Sequence, residues 1–519
     1  MKRAASALLL LLCARPRLAL DVYPAPGALT PPSADYSATV GPSALPAFVY
    51  FTSRAAMQPV APNNNIPQMS GRNTSFFGFA MDADADGPVT VVVTVESSTL
   101  LSSAQILPLS AAAAMSPPVV SGRTVTLRVD QPRQFCVVVN GVTDAPLCVF
   151  ADPPETYTPS PTDPGVIFFA AGTTTDAGVI NVSSGQTVYL APGAHVFGRV
   201  QLVSDSSACS QAGRGVAVRG RGVLDGHRFT IDGVGPSLVQ LPCSHALLEG
   251  ITMIDSPKYH YDGGWPYTVV RWAKAVSWAF STDGVDLGSQ GLLENSFLKV
   301  NDDSIKPFGP GGLAQRVVIW QQENGCAVMG SWNLNQPSGF ITVRNIDVIR
   351  HERNFGGYYP DSLLCFMHGG SGVLSNYLFD DIRVDSPGFA LVNFFITPNP
   401  WANPTGGVIG NVSTVIVRNV FSAHAFLAPQ SVLLEGNSTL SGVRSVTFDN
   451  VTIAGRPAGP GDVGVIGSSA FVDAPFFCVN CTASIVGTDW TAAQKCSLPD
   501  SWCSSRAAST APAAASPDV

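Results

Sequence analysis

The sequence predicts an all-β protein: an N-terminal antiparallel β-sandwich followed by a right-handed parallel β-helix. Three observations carry this. Charged residues make up only 13% of the 519-residue chain, against 49 Gly and 41 Pro, the composition of many short strands joined by turns. A short apolar motif with Gly, Asn or Asp at its fifth place recurs at Gly250, Asn295, Asn345, Asp381, Asn419 and Asn450. Its intervals of 31 to 50 residues fit one or two coils of a β-solenoid. Two carboxylate clusters, Asp283 and the pair Asp302-Asp303, stand nineteen residues apart, close to a single coil.

Taken in order, the chain opens with Lys2 and Arg3 ahead of an apolar run over 4–14, which reads as a signal peptide over 1–20. No other run approaches the roughly 18 apolar residues of a membrane span. Residues 21–155 form the expected sandwich, with apolar strand patterns at 48–51, 76–80, 89–95, 124–129 and 136–139 separated by turn residues. Asp82-Ala83-Asp84-Ala85-Asp86-Gly87 imitates a calcium loop, but Val93 stands where the final Glu belongs, so it reads as an acidic turn. Five Pro within 151–164 mark the domain boundary. The β-helix is expected over 165–490, starting with strands at 166–169, 178–182 and 187–190, and an Ala/Ser/Pro-rich tail over 504–519 is expected to be disordered. Coils bury only one face each, so their stacking makes the core. Asn and Gly at the recurring corner suit left-handed backbone and side-chain ladders.

Eleven Cys become ten once Cys13 leaves with the signal, an even number suited to an oxidising compartment. Cys136 and Cys148 flank a hairpin and are expected to pair, and Cys478, Cys481, Cys496 and Cys503 read as disulfide partners rather than a zinc site. Six sequons, at Asn73, Asn181, Asn411, Asn437, Asn450 and Asn480, fit a secreted chain. The net charge of −8 excludes nucleic acid and anionic membrane as natural partners. A monomer is expected.

The stretch 276–308 carries the chemistry. If neighbouring coils lie about 4.8 Å apart, Asp283, Asp302 and Asp303 share one patch, where like charges raise at least one pKa. Glycosidic hydrolysis needs such a group: one protonated carboxyl to donate to the leaving oxygen and one ionised carboxyl to activate water. In a regular strand Asp302 and Asp303 would face opposite ways, so the backbone must bend there, a bend that Asn301 and Ser304 favour. Lys306 is placed to bind a sugar hydroxyl or to keep a carboxylate ionised. Trp332 is placed to stack on a sugar ring, Asn301 to bind substrate beside the aspartates, and Tyr259 and Tyr261 to shape subsites. No cofactor and no metal are expected.

Thr282-Asp283-Gly284, followed after nineteen residues by Val300-Asn301-Asp302-Asp303-Ser304-Ile305-Lys306, resembles glycoside hydrolase family 49, the dextranases and isopullulanases. Met329-Gly330-Ser331-Trp332 is similar to that family's Met-Gly-Trp segment, with one Ser inserted. The wider clan with the polygalacturonases shares the two Asp clusters but adds a Gly-His-Gly, which this chain lacks near 325–332. The resemblance implies a secreted, endo-acting O-glycosyl hydrolase that inverts at an α-glucan, with Asp302 as general acid and Asp283 and Asp303 activating water across the 6.5–9.5 Å gap of inverting enzymes. A polygalacturonase-like hydrolase, a polysaccharide lyase and a non-catalytic β-helix wall protein are the alternatives.

Overall fold

The computed structural model describes residues 20–53, 73–98, 100–203, 209, 215–230, 235–352, 362–466 and 468–478. The expected signal segment, apart from Leu20, and the expected tail lie outside these residues, as do Cys481, Cys496 and Cys503. Among the described residues no helix is long and apolar enough to cross a membrane.

The N-terminal region up to Asp152 builds two facing sheets. One carries Leu45–Ala47, Tyr36–Val40, Val89–Val95, Thr124–Val129 and Val119–Ser121 in that order, and every neighbour is antiparallel. The other runs Asp21–Val22, Asn73–Ala80, Leu147–Asp152, Arg133–Val139, Ala104–Leu107, with Tyr50–Ser53 also on Asn73–Ala80. This second sheet departs from the antiparallel expectation, because Asn73–Ala80 and Leu147–Asp152 run parallel. The long passage through the opposite sheet supplies the crossover that parallel neighbours need. Strict alternation in Val89–Val95, buried at every second residue, is the period-two signature of a strand with one face in the core. At 82–87 the acidic turn is a single helical turn, Ala83–Asp86, capped by the Asp82 side chain. Cys136 and Cys148 are bonded, in register across their hairpin.

From Val166–Phe169 onward the chain winds into a parallel β-helix, a continuous sheet of 27 strands among the described residues. Three ladders run along it. One passes through Leu247, Val269, Leu292, Leu313, Thr342, Leu378, Ile416 and Thr447. A second passes through Thr252, Lys274, Phe297, Val318 and Asp347. A third passes through Tyr261, Val285, Ile305, Val328, Leu364, Val392, Val432 and Val463. The corner between the first two is left-handed in every coil from Gly250 to Asn450: Gly250, Trp272, Asn295, Arg316, Asn345, Asp381, Asn419 and Asn450 all have φ between 48° and 83°. The intervals of 45 and 50 residues in the sequence motif thus each span two coils, with Trp272 and Arg316 at the skipped corners.

The six-stranded sheet lies on the second ladder. Cys136, Val138, Cys148, Phe150 and Phe76 pack against Val223, Ile254, Val276, Phe297 and Trp320. Inside this junction Lys274 is fully buried, its Nζ 2.6 and 2.7 Å from the two oxygens of Asp152, and Arg221 lies 3.7 Å from the same carboxylate. A buried pair of this kind fixes the seating of one sheet on the other, because a misplaced partner leaves a charge unpaired.

Candidate active site: four aspartates on one corner

The corner that leads into the third ladder holds the acidic cluster. The register Asp286↔Lys306 stacks the segment 283–287 on 303–307. Gly284 N–H donates to the Asp303 carbonyl at 2.9 Å, and His260 N–H to the Asp283 carbonyl at 2.8 Å. Between Val300 and Ile305 the strand is interrupted by bends, so Asp302 and Asp303 both reach the patch. One carboxylate oxygen of each of Asp283, Asp302 and Asp303 lies within 4.8 Å of the others.

The loop after Gln321 holds the pair from the next coil. Gln321 Nε2 donates to the Asp302 carbonyl at 2.9 Å, and Ser304 Oγ to Gln321 Oε1 at 2.6 Å. Asn324 Nδ2 donates to Asp302 Oδ2 at 2.6 Å. Gly325 has φ +77°, and a Cβ there would stand 2.4 Å from the Asp302 carbonyl carbon and the Asp303 nitrogen. Only glycine lets this loop close onto the aspartates.

Each carboxylate has its own surroundings. Asp303 is 1% exposed. Its Oδ1 accepts from Cys326 N–H at 2.9 Å and its Oδ2 from Trp332 Nε1 at 2.7 Å. Burial, and then the charge of Asp283, push its pKa up to about 7 against those hydrogen bonds. Asp283 is also buried; burial raises its pKa, opposed by Lys306, whose Nζ is 2.7 Å from Asp283 Oδ2 and 2.9 Å from Asp286 Oδ1. Burial lifts Asp286 to about 6, again against Lys306. Burial pulls Lys306 down, but Asp283 and Asp286 outweigh it and hold the ammonium firmly charged. Its Nζ sits 3.6 Å from the centroid of the Tyr259 ring, a cation–π contact. Asp302 alone of the three clustered carboxylates keeps some solvent exposure.

The expected site residues separate into two groups. Asp283, Asp302, Asp303, Lys306, Tyr259 and Trp332 come together. Of the two roles open to Lys306, the structure gives it the carboxylates. Trp332 is Asp303's donor as well as a half-buried ring, packed edge-on against the exposed Trp401 at 4.9 Å. Two expectations are corrected. Tyr261 is fully buried in the β-helix core, because it lies in register between Val239 and Val285 on the inward side of the third ladder, while its neighbour Asp262 is half-buried. Asn301 is also fully buried; its amide donates to Trp278 O at 2.8 Å and accepts from Asn324 N–H at 2.9 Å, so it ties three coils and touches no substrate. One oxygen of each of the three carboxylates lies within 4.8 Å of the others, and Asp303 is turned toward Trp332 and Cys326. Asn324, Gln321 and Trp401 carry no signal in the sequence; Asp286 would be found by shifting it one coil onto Lys306. Cys326, which supplies the backbone donor to Asp303, is bonded to Cys365.

No protein-family model matches the chain. A dextranase of Arthrobacter globiformis is 26% identical over 211 residues, 35% of this chain and 31% of that protein. An isopullulanase of Aspergillus niger is 25% identical over 242 residues, 42% of this chain and 39% of that protein. The chain thus spans about a third of the length of the relatives it matches. Among solved structures, Dex49A from Penicillium minioluteum superposes with a TM-score of 0.60 at 18% identity, over 88% of this chain and 96% of that one, and so shares its fold. The chain is a homologue of the family 49 dextranases and isopullulanases, built on the same β-helical fold.

Proposed function

We propose that this chain is a secreted glycoside hydrolase that cleaves α-glucan internally and with inversion. The carrying observation is the convergence of Asp283, Asp302 and Asp303 in unequal surroundings. Asp302, the least buried of the three, gives its proton to the glycosidic oxygen as the C1–O bond breaks. A water held by Asp283 and Asp303 gives up a proton to that pair as its oxygen bonds to C1. Solvent then takes the proton from that pair and restores one to Asp302.

Carboxyl separation alone is nearer the 5–5.5 Å of retaining enzymes than the wider inverting gap. Access argues the other way. Asp303 is held by Cys326 N–H and Trp332 Nε1 and Asp283 by Lys306, so neither is free to swing onto an anomeric carbon, while each keeps a lone pair for a water. A water at about 2.8 Å from two oxygens fits between groups this close.

The local charge favours a neutral polymer. Asp283, Asp286, Asp302 and Asp303 outnumber Lys306 and Lys258, whose Nζ lies 4.7 Å from the centroid of the Tyr259 ring, so a uronate would meet repulsion, which weighs against pectin. Lys306 already supplies the cation that a lyase would take from a metal. Three disulfides, Cys136–Cys148, Cys209–Cys243 and Cys326–Cys365, support secretion. The test is reducing-end release from dextran, pullulan and polygalacturonate. Release from an α-glucan is expected, falling at least about 10³-fold in Asp302→Asn; release from polygalacturonate alone, or activity unchanged in the variant, overturns the reading.

A further inference from the structure

The junction between sandwich and β-helix does not close along its whole length. A cleft of about 450 Å³ opens where Arg133–Val139 faces the left-handed corner of the coils, and a smaller one of about 170 Å³ lies further along the seam. Trp272 lines both. The larger cleft lies within the usual size of ligand pockets. It stands at the corner between the first two ladders, whereas Asp283 and Asp303 stand at the corner beyond the second.

Two features mark it as more than a packing gap. Trp272 has φ +52° at a corner where the other coils from Gly250 to Asn450 place Gly, Asn or Asp and, once, Arg316. A bulky aromatic in that conformation is an outlier, and such strain gathers at functional sites. Gln134 shares a face of its strand with Cys136 and Val138, the face turned to the β-helix. It is 6% exposed, it lines the cleft, and its Nε2 has no hydrogen-bond partner; nor has Arg133 Nε. Buried donors are seldom left unmet.

The charges say what the ligand is not. Each guanidinium lining the cleft has its own carboxylate: Arg133 with Asp130 at 2.7 Å, Arg316 with Glu294, Arg383 with Asp347 at 2.6 Å. Arg383 meets Asp381 as well, at 2.6 Å, so no positive charge is left for an anion. An aromatic face, unmet N–H donors and polar walls whose cations are all paired suit the apolar face and hydroxyl rim of a sugar. We propose that this seam is a second carbohydrate-binding site, with Trp272 as its platform, that holds a neutral glucan chain away from the catalytic corner. The ligand class rests on the α-glucan reading above.

The test uses the full chain carrying Asp302→Asn, titrated calorimetrically with isomaltotetraose and with maltotetraose. Two sites are expected for at least one of them. Trp272→Asn, which installs the residue that four other coils tolerate there, should remove one. Gln134→Leu should weaken the same site about tenfold, and serves as the reading if Trp272→Asn does not fold. A single site in the parent, or two sites of unchanged affinity in both variants, overturns the proposal. Dextran hydrolysis by the unsubstituted chain is scored separately: Trp272-dependent binding without hydrolysis sinks the catalytic reading and keeps the seam site.

Discussion

Two buried lysines one and a half coils apart bind aspartates and do different work. Lys274 sits with Arg221, Asp152 and Glu155 under the sandwich, two cations against two carboxylates. Lys306 sits with Asp283, Asp286, Asp302 and Asp303, where carboxylates are in excess. Burial, opposed chiefly by Asp152, lowers Lys274 to about 8, while Lys306 is held firmly charged. Balance makes the first cluster a clasp between domains. Excess makes the second hold protons near neutral pH, with Asp303 at about 7 and Asp286 at about 6, as acid–base chemistry requires.

The sharpest way to break this contrast is to remove each cation in turn. Lys274→Met should cost about 3–5 kcal/mol in chemical denaturation, since it strands Asp152, and leave the pH–rate profile where it was. Lys306→Met should lower kcat about 10²-fold with a smaller loss of stability. Lys306 favours ionised Asp283, so its removal raises that pKa, and the acid limb of the profile should move to higher pH. Matching profiles for the two variants would erase the distinction. A milder probe is Trp332→Phe, which keeps the ring and deletes one donor to Asp303. About a tenfold fall in kcat is expected, with the acid limb again moving up.

The smallest effect probes a third carboxyl, at the junction. Burial and the charge of Asp225 raise Asp255 to about 8, against the hydrogen bond from Thr52 at 2.6 Å. The folded pKa lies above the unfolded value near 3.9, so stability should fall as pH rises from about 4 to about 8. Asp255→Asn keeps an acceptor for Thr52 without the charge. Its gain should be about 1 kcal/mol at pH 8 and vanish at pH 4, as read by thermal unfolding.

The corners and the aspartate pair are legible in the sequence because each repeats a backbone demand in residue type: Asn and Gly where φ is positive, and a bend-forming Asn-Asp-Asp-Ser between strands. Trp272 and Arg316 hide the same corner, since bulky side chains give no sign of left-handed backbone. Tyr261 is misread because its strand, Tyr261–Asp262, is too short for an alternating pattern to show which side faces the core. Asn324 and Gln321 reach Asp302 from the next coil, and Trp401 reaches Trp332 from 69 residues downstream. Insertions set those steps, 29 residues from Leu313 to Thr342 but 38 from Leu378 to Ile416, so no fixed period brings them into register on paper.

Asp302 as proton donor, with a water shared by Asp283 and Asp303 attacking from the other side, dictates which sugar end forms first. Proton NMR of the ends released from dextran tests this most directly. The β-anomer appearing first, before mutarotation, is the outcome expected of this site. The α-anomer first would mean that a carboxylate had attacked the sugar itself, and Asp283 and Asp303 would not be the pair that activates water.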